Sequence, residues 1–505
     1  MKRLLTFTYL VLCTTFLCAQ LTFLSRSTPE QEGLLSADML AFLDTVMTQK
    51  DTDVHGLMVL RNGKVIAEKY NEPWAAQYGH TLYSCSKTFT GVAVGLAIED
   101  SLLTLDTRLV DILPDMMPDS IAPGIDSITV EHLLTMTPGF PVDTQMRTIQ
   151  NEWVKAYCSQ VLASPPGTLF AYDSIDSYLL SAMVQRVYGR TILQLLRERI
   201  FTPLGITQVY WEESPEGISC GGWGLYMQLE SMAKFGQLLL QKGNWEGQQL
   251  IAQEWIEQMM QPYAGKPGSD TRYGYHIWIM PYPGMVRCDG AYGQYIIVIP
   301  DRQMVVAMTQ CMRGTGALEF QSVWNLSRKA QDRVMPVKSK DQLLLTYKVY
   351  SLPHPQGEKR SRKHFLLPVK LKLAANSLGW KQVELSYNPQ STRADPILDM
   401  AVTTQKNETY TLQCGFRHWM TSEIKGLPLN FRPFRGNFRH LPSPYYAAGS
   451  YAWLNDNTLV TSLQYVNWLS AAELRLLFDN QGQVTLKLKG GQTNKYLSIK
   501  ASLVR

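Results

Sequence analysis

HTLYSCSKTFTGVAVGLAI, His80 to Ile98, sets two serines and a lysine ahead of an apolar run punctuated by glycine. Serine is a weak nucleophile at its own pKa, so a catalytic serine needs a base within hydrogen-bond reach. Residues i and i+3 share one face of a helix, so Ser84-x-x-Lys87 at a helix start brings hydroxyl and amine together. A helix start also offers free backbone N–H groups to a developing oxyanion. Lysine acts as a base only where burial and neighbours hold its pKa down, and FTGVAVGLAI reads as a buried helix that provides such a setting. Ser231/Lys234 and Ser422/Lys425 repeat the spacing. The first lies in LESMAKFGQLLLQ, an amphipathic pattern in which a lysine can point to water. The second lies in β-rich sequence beside Gly426 and Pro428, with no helix to hold the pair. Taken singly, Ser84/Lys87 fits an ordinary capped helix as well as an active site.

The surrounding elements give the run its layer. Upstream, LLSADMLAFLDTVMTQ carries Met39, Leu40, Leu43 and Val46 at helical spacing, with Ser36 as N-cap. HGLMVLRNGKVIAEKY follows, two apolar runs around Arg61-Asn62-Gly63, which predicts a hairpin. Helical patterns recur at EHLLTM, SYLLSAMVQRVYG and SMAKFGQLLLQKG. Strand patterns return at YGYHIWIM and at QYIIVIPDRQMVVAMTQ, where Pro300-Asp301 marks a turn. Strands at both ends of residues 20–335 with helices between predict an α+β domain: one antiparallel sheet built from both chain ends, flanked by helices, with an all-helical subdomain. Past Val334 the texture changes. Residues 336–365, including the basic, Pro-containing LPHPQGEKRSRKHF, read as a linker or the first hairpin of a second domain. Short alternating segments then fill 366–505, from LLPVKLKL to QVTLKLKGG, and predict an all-β sandwich or barrel.

Composition is that of a globular protein, 45% hydrophobic and 18% charged, with a mild net charge of +5. No Lys/Arg stretch interleaved with aromatics is present, which argues against nucleic-acid binding. Residues 1–19 read as a signal peptide: Lys2 and Arg3, the apolar run Leu4 to Leu17, then Ala19 at the cut. The run is too short for a transmembrane span. Leu17 and Phe16 fit a lipoprotein cleavage site before Cys18 badly, so a periplasmic or secreted protein is favoured over a lipid-anchored one. Of eight cysteines, six lie beyond the signal at scattered positions without C-x-x-C spacing, which suits small buried hydrophobes rather than a zinc site. No G-x-S-x-G elbow, H-E-x-x-H or dinucleotide fingerprint occurs. His80 and His132 read as structural, while Trp223, Tyr226, Tyr273 and Tyr275 suit either a cleft lining or an aromatic core.

YSCSKTFTGVAVGLAIEDSLLTLDTRLVDILP followed by ITVEHLLTMTPGF resembles the serine β-lactamase and penicillin-binding-protein superfamily, in particular its class C β-lactamase-related branch of esterases and peptidases. PPGTLFAYDSIDSYLLSAMV, FTPLGI, YGYHIW and GAYGQYIIVIPDRQMVVAM continue the resemblance in order, over roughly Leu34 to Met312. It implies Ser84 as acylated nucleophile, Lys87 as general base and Tyr172 as proton relay to the leaving group. The N–H groups of Ser84 and Ala291 would form the oxyanion hole. Two positions depart from the family pattern. Ser174 stands where the family has the Asn of its Tyr-x-Asn motif, and Cys288-Asp289-Gly290 stands for Lys-Thr-Gly. Ser174, Asp289 and Gly290 are thus the substrate-binding candidates, with Gly290 leaving room for substrate backbone and Asp289 a strand-end carboxylate that would repel a substrate carboxylate. The resemblance implies a serine hydrolase acting on a small ester, amide or peptide without metal or organic cofactor. A D-amino-acid peptidase or weak β-lactamase on cell-wall-type substrates is the enzymatic alternative. A penicillin-binding-like receptor or scaffold is the non-catalytic one.

Overall fold

The computed structural model describes residues 23–141, 151–266, 268–363, 367–392, 394–424, 444–469, 471–479, 481–490 and 495–504. The predicted signal peptide and Lys425 lie outside them.

The hairpin predicted around Asn62-Gly63 forms. Strand β1 (Thr52–Arg61) turns at Asn62 and Gly63, both at positive φ, into strand β2 (Lys64–Glu72). Strands Gln294–Ile299 and Met304–Met312 flank the expected turn at Pro300–Arg302. Met304–Met312 then pairs antiparallel with β1, closing the sheet from the two ends of the domain. Both faces of this sheet are covered, which explains why its strands read as unbroken apolar runs. Leu57, Val59, Ile297 and Val306 point to one side, against helix α1 (Ser36–Met47) and helix Ala317–Lys329. Met58, Leu60, Ile296 and Val305 point to the other, against helix α2 (Ser86–Glu99) and helix Leu229–Leu240.

Ser36 differs from its expected role. Leu35 occupies the N-cap position without a side-chain cap, and Ser36 opens the helix. The Glu30 carboxylate accepts the Ser36 N–H at 2.7 Å, so an acid from the preceding loop does the capping at the dipole's positive end. The helical subdomain lies between Leu109 and Phe201, with the long helix Ser174–Tyr188 packed on α2. His132 is structural as read: its ring accepts the Thr129 N–H at 3.2 Å in a capping box.

The second domain resolves the sandwich-or-barrel alternative. Nine strands between Val369 and Leu503 form a closed ring, the parallel contact of Thr409–Phe416 with Tyr445–Asn455 joining its ends. Closure removes the exposed edges that an open sheet would present. The barrel is filled: Leu371, Leu385, Met400, Trp453, Leu474 and Leu486 are all at most 1% exposed. Before it, Ser339–Tyr347 is helical, and Tyr350–Ser351 adds a short parallel strand to the edge of the first sheet at β2. The six cysteines from Cys85 to Cys414 are all buried with free thiols.

Candidate active site

The chain enters the site through a tight turn. Tyr83–Cys85 forms a 3₁₀ turn that runs directly into α2. Residues Ser86 to Ala97 are all buried, while Ser84, one residue before Cys85, keeps partial exposure. The turn therefore presents a single hydroxyl to the cleft from an otherwise dry helix start.

Lys87 stands one turn in and is 1% exposed. Its Nζ lies 3.0 Å from Ser84 Oγ, 2.9 Å from Ser174 Oγ and 2.9 Å from the Gly222 carbonyl oxygen. The carbonyl can only accept, so it takes one N–H. The Ser174 hydroxyl can take a second, which leaves the lone pair of a neutral amine for the Ser84 O–H. Tyr172 closes this arrangement from above, its ring centre 4.7 Å from Lys87 Nζ. Ser174, read as a substrate contact, thus has its hydroxyl on Lys87 Nζ.

Gly222 was missed in the sequence reading, although the Gly-Gly of GGWG carries a usable signal. A Cβ on Gly221 would meet the Ser177 carbonyl oxygen at 2.4 Å, and one on Gly222 the Ser174 carbonyl oxygen at 2.4 Å. Only paired glycines allow this strip to lie against helix Ser174–Tyr188 and hand a carbonyl to Lys87. Thr90 Oγ1 donates to the Gly221 carbonyl at 2.9 Å and ties the strip to α2.

Strand Val286–Gly290 supplies the opposite wall. Gly290 is tight for a reason other than substrate approach. A Cβ there would sit 2.2 Å from the carbonyl oxygen of Leu82, so the glycine is required by the segment that carries Ser84. Ala291 follows and is exposed. Asp289 is not the solvated strand-end carboxylate of one reading: its Oδ2 accepts from Arg287 Nε at 2.7 Å, and its side chain is 26% exposed. Burial pushes the Asp289 carboxyl above its ordinary value, with Arg287 pulling it back. The Arg287 guanidinium is itself packed over the rings of Phe320 and Trp278, at 4.4 and 5.6 Å. Cys288 and Cys85, buried beside the site, have thiols pushed up by desolvation, Cys288 to about 12, which suits inert packing groups.

Of the four aromatic candidates, Tyr273 meets the site, edge-on to Tyr172 at 5.9 Å. Trp278, which was not singled out, lies 5.3 Å from Tyr172. Trp223 packs on Trp153, and Tyr275 stacks on Tyr263 and donates to Glu131 at 2.8 Å. Tyr226 turns toward the barrel, where Trp468 Nε1 donates to its hydroxyl at 3.0 Å. The rival pairs do not assemble this way. Lys234 is 5% exposed rather than turned to water, its ammonium 3.4 Å from the Gly205 carbonyl. Ser422 Oγ accepts the Gln413 N–H at 3.0 Å in a barrel strand.

The family model described as Beta-lactamase matches residues 41–317, more than half of the chain. Penicillin-binding protein 4 of Amycolatopsis lactamdurans is 30% identical over 130 residues, 25% of this chain and 34% of that protein. 6-aminohexanoate-dimer hydrolase of Paenarthrobacter ureafaciens is 22% identical over 249 residues, 45% of this chain and 63% of that protein. The chain thus spans less than two thirds of the length of these relatives. Among solved structures, a class C β-lactamase superposes with a TM-score of 0.51 at 15% identity, covering 59% of this chain and 97% of the other. Among the described residues, no helix is long and apolar enough to cross a membrane.

Proposed function

The chain belongs to the Beta-lactamase family of serine hydrolases, and on that premise we propose that it is an exported, class C-like enzyme that cleaves an ester or amide through a Ser84 acyl-enzyme. One observation carries the reading: a buried lysine with its Nζ 3.0 Å from the one partly exposed hydroxyl of the helix-start turn. Ser84 Oγ attacks the substrate carbonyl carbon while Lys87 Nζ takes its proton. The carbonyl oxygen becomes an oxyanion held by the N–H groups of Ser84 and Ala291. Collapse of the tetrahedral intermediate breaks the bond to the leaving alcohol or amine, which receives a proton through Tyr172. Water, deprotonated in turn by Lys87, then attacks the acyl carbon and releases a carboxylic acid and free Ser84.

The far wall supports one substrate class. The family's cation at this strand is absent, and the cation that is present, Arg287, is committed to Asp289. A substrate carboxylate therefore finds no free partner from this pair, while the partly exposed Tyr172 and Trp278 offer apolar faces. Neutral esters or amides with an apolar group fit better than carboxylate-bearing β-lactams. Export rests on residues 1–19 alone.

The test is Ser84→Ala, which abolishes both turnover of p-nitrophenyl esters and labelling by a fluorophosphonate. Labelling that persists in this variant and disappears in Ser231→Ala would assign the nucleophile elsewhere.

A further inference from the structure

The barrel reaches the catalytic turn. Its strands Thr458–Tyr465 and Ala471–Phe478 are joined across a turn beginning at Val466. Three observations fix this turn on the first domain. Trp74 Nε1 donates to the Val466 carbonyl at 3.1 Å. Trp468 Nε1 donates to Tyr226 Oη at 3.0 Å. Leu469, 4% exposed, packs into a cluster with Tyr83, Tyr292 and Cys311.

The two tyrosines hold the positions that matter. Tyr83 immediately precedes Ser84, and Tyr292 immediately follows Ala291. Both have left-handed backbones, φ 47° and 65°. For bulky residues that conformation is strained, and it persists only where the surroundings over-determine it. Part of what holds it is local: the Met312 N–H donates to the Tyr292 carbonyl at 2.9 Å. The rings themselves meet edge to face at 5.8 Å, in the small buried cluster that Leu469 and Cys311 share with them. A side chain from the barrel therefore shares one buried cluster with the two left-handed residues that flank the proposed oxyanion donors.

We propose that Leu469 is a positioning residue, clamping Tyr83 against Tyr292 so that the Ser84 and Ala291 N–H groups converge on one point. This rests on the reading of Ser84 as nucleophile and of these two groups as the oxyanion hole. On this account the barrel completes the active site and is not an appendage to it. Leu469 touches no reacting atom, so its effect falls on the chemical step and not on substrate capture. A displacement near 1 Å at such donors lowers rate by about 10²-fold.

The experiment uses the full-length chain and p-nitrophenyl ester hydrolysis. In Leu469→Ala, kcat falls by roughly tenfold to 10²-fold while KM stays within about threefold, and Leu469→Met recovers most of the loss. Leu474→Ala, which makes a comparable cavity in the barrel interior away from the cluster, keeps the wild-type kcat. Should Leu469→Ala fail to fold, Leu469→Val makes the same comparison with a smaller cavity. Wild-type kcat in the folded Leu469 variant, or an equal loss in Leu474→Ala, overturns the clamp. Fluorophosphonate labelling of Ser84→Ala at the wild-type rate would instead overturn the nucleophile assignment, so the two failures are separable.

Discussion

Gly290→Ala probes the joint between the nucleophile turn and the oxyanion strand. The added Cβ would stand 2.2 Å from the Leu82 carbonyl oxygen and 2.9 Å from Gln294 Cβ, where ordinary contact begins at 3.4 Å. Neither neighbour can yield freely. The Leu82 carbonyl accepts the Cys85 N–H at 3.1 Å within the turn that carries Ser84, and the Leu82 N–H is bound to the Leu225 carbonyl at 2.8 Å. Gln294 is pinned by exchange with Gln310, donating from Nε2 at 2.7 Å and accepting at Oε1 at 3.3 Å. Strand end and turn must therefore part by about 1 Å, the distance at which misplaced catalytic groups lose on the order of 10² in rate. That loss corresponds to ~2.7 kcal/mol of transition-state stabilisation, beside an overpacking cost of roughly 1–3 kcal/mol in stability. Steady-state p-nitrophenyl acetate hydrolysis and the rate of fluorophosphonate labelling read the first, and a thermal melt reads the second. A folded Gly290→Ala protein with kcat within twofold of wild type would show that this contact does not set the geometry of Ser84 and Ala291.

Lys87→Met keeps the length of the side chain and removes the base, so kcat/KM for esters falls by roughly 10²–10⁴; Ser174→Ala removes one Lys87 partner and costs about tenfold, and a larger loss from Ser174 than from Lys87 would reverse their roles. Acid stability follows from buried histidines. His80, hydrogen-bonded to His55 and to the Thr81 carbonyl, is lowered by burial to about 4 from 6.5. The unfolded chain therefore binds the proton first, and this stability is intact above pH 6.5 and lost as pH falls toward 4. A thermal midpoint that declines across that window, less steeply in His80→Asn, is expected; a flat profile in the wild type would contradict the buried neutral pair.

Local signals carried much of this molecule because they depend on short separations. Alternation marked the barrel strands, the Asn62-Gly63 turn marked the hairpin, and the glycine-punctuated apolar run marked the buried helix behind Ser84. The i, i+3 spacing is likewise local, and it lets Lys87 Nζ reach Ser84 Oγ at 3.0 Å without any long-range contact. Ser36 went astray because the acid that binds its N–H comes from a loop whose path no periodicity encodes. Lys234 went astray because an amphipathic pattern gives the face of a helix but not what covers it.

What tertiary structure alone decided involves residues far apart in the chain. Folding brings the Gly222 carbonyl to Lys87, across 135 residues, and sets Gly290 against the Leu82 carbonyl. It spends Arg287 on Asp289, which turns a lone negative charge at the cleft into a neutral pair. It also carries Leu469 to Tyr83, from a domain whose sequence says only that it is all-β. Spacing along the chain offered three Ser-x-x-Lys pairs, and the buried run behind Ser84 with the ordered resemblance singled one out as the proposed nucleophile and base. The walls of its site come from separate elements, and only packing sets which of their side chains meet.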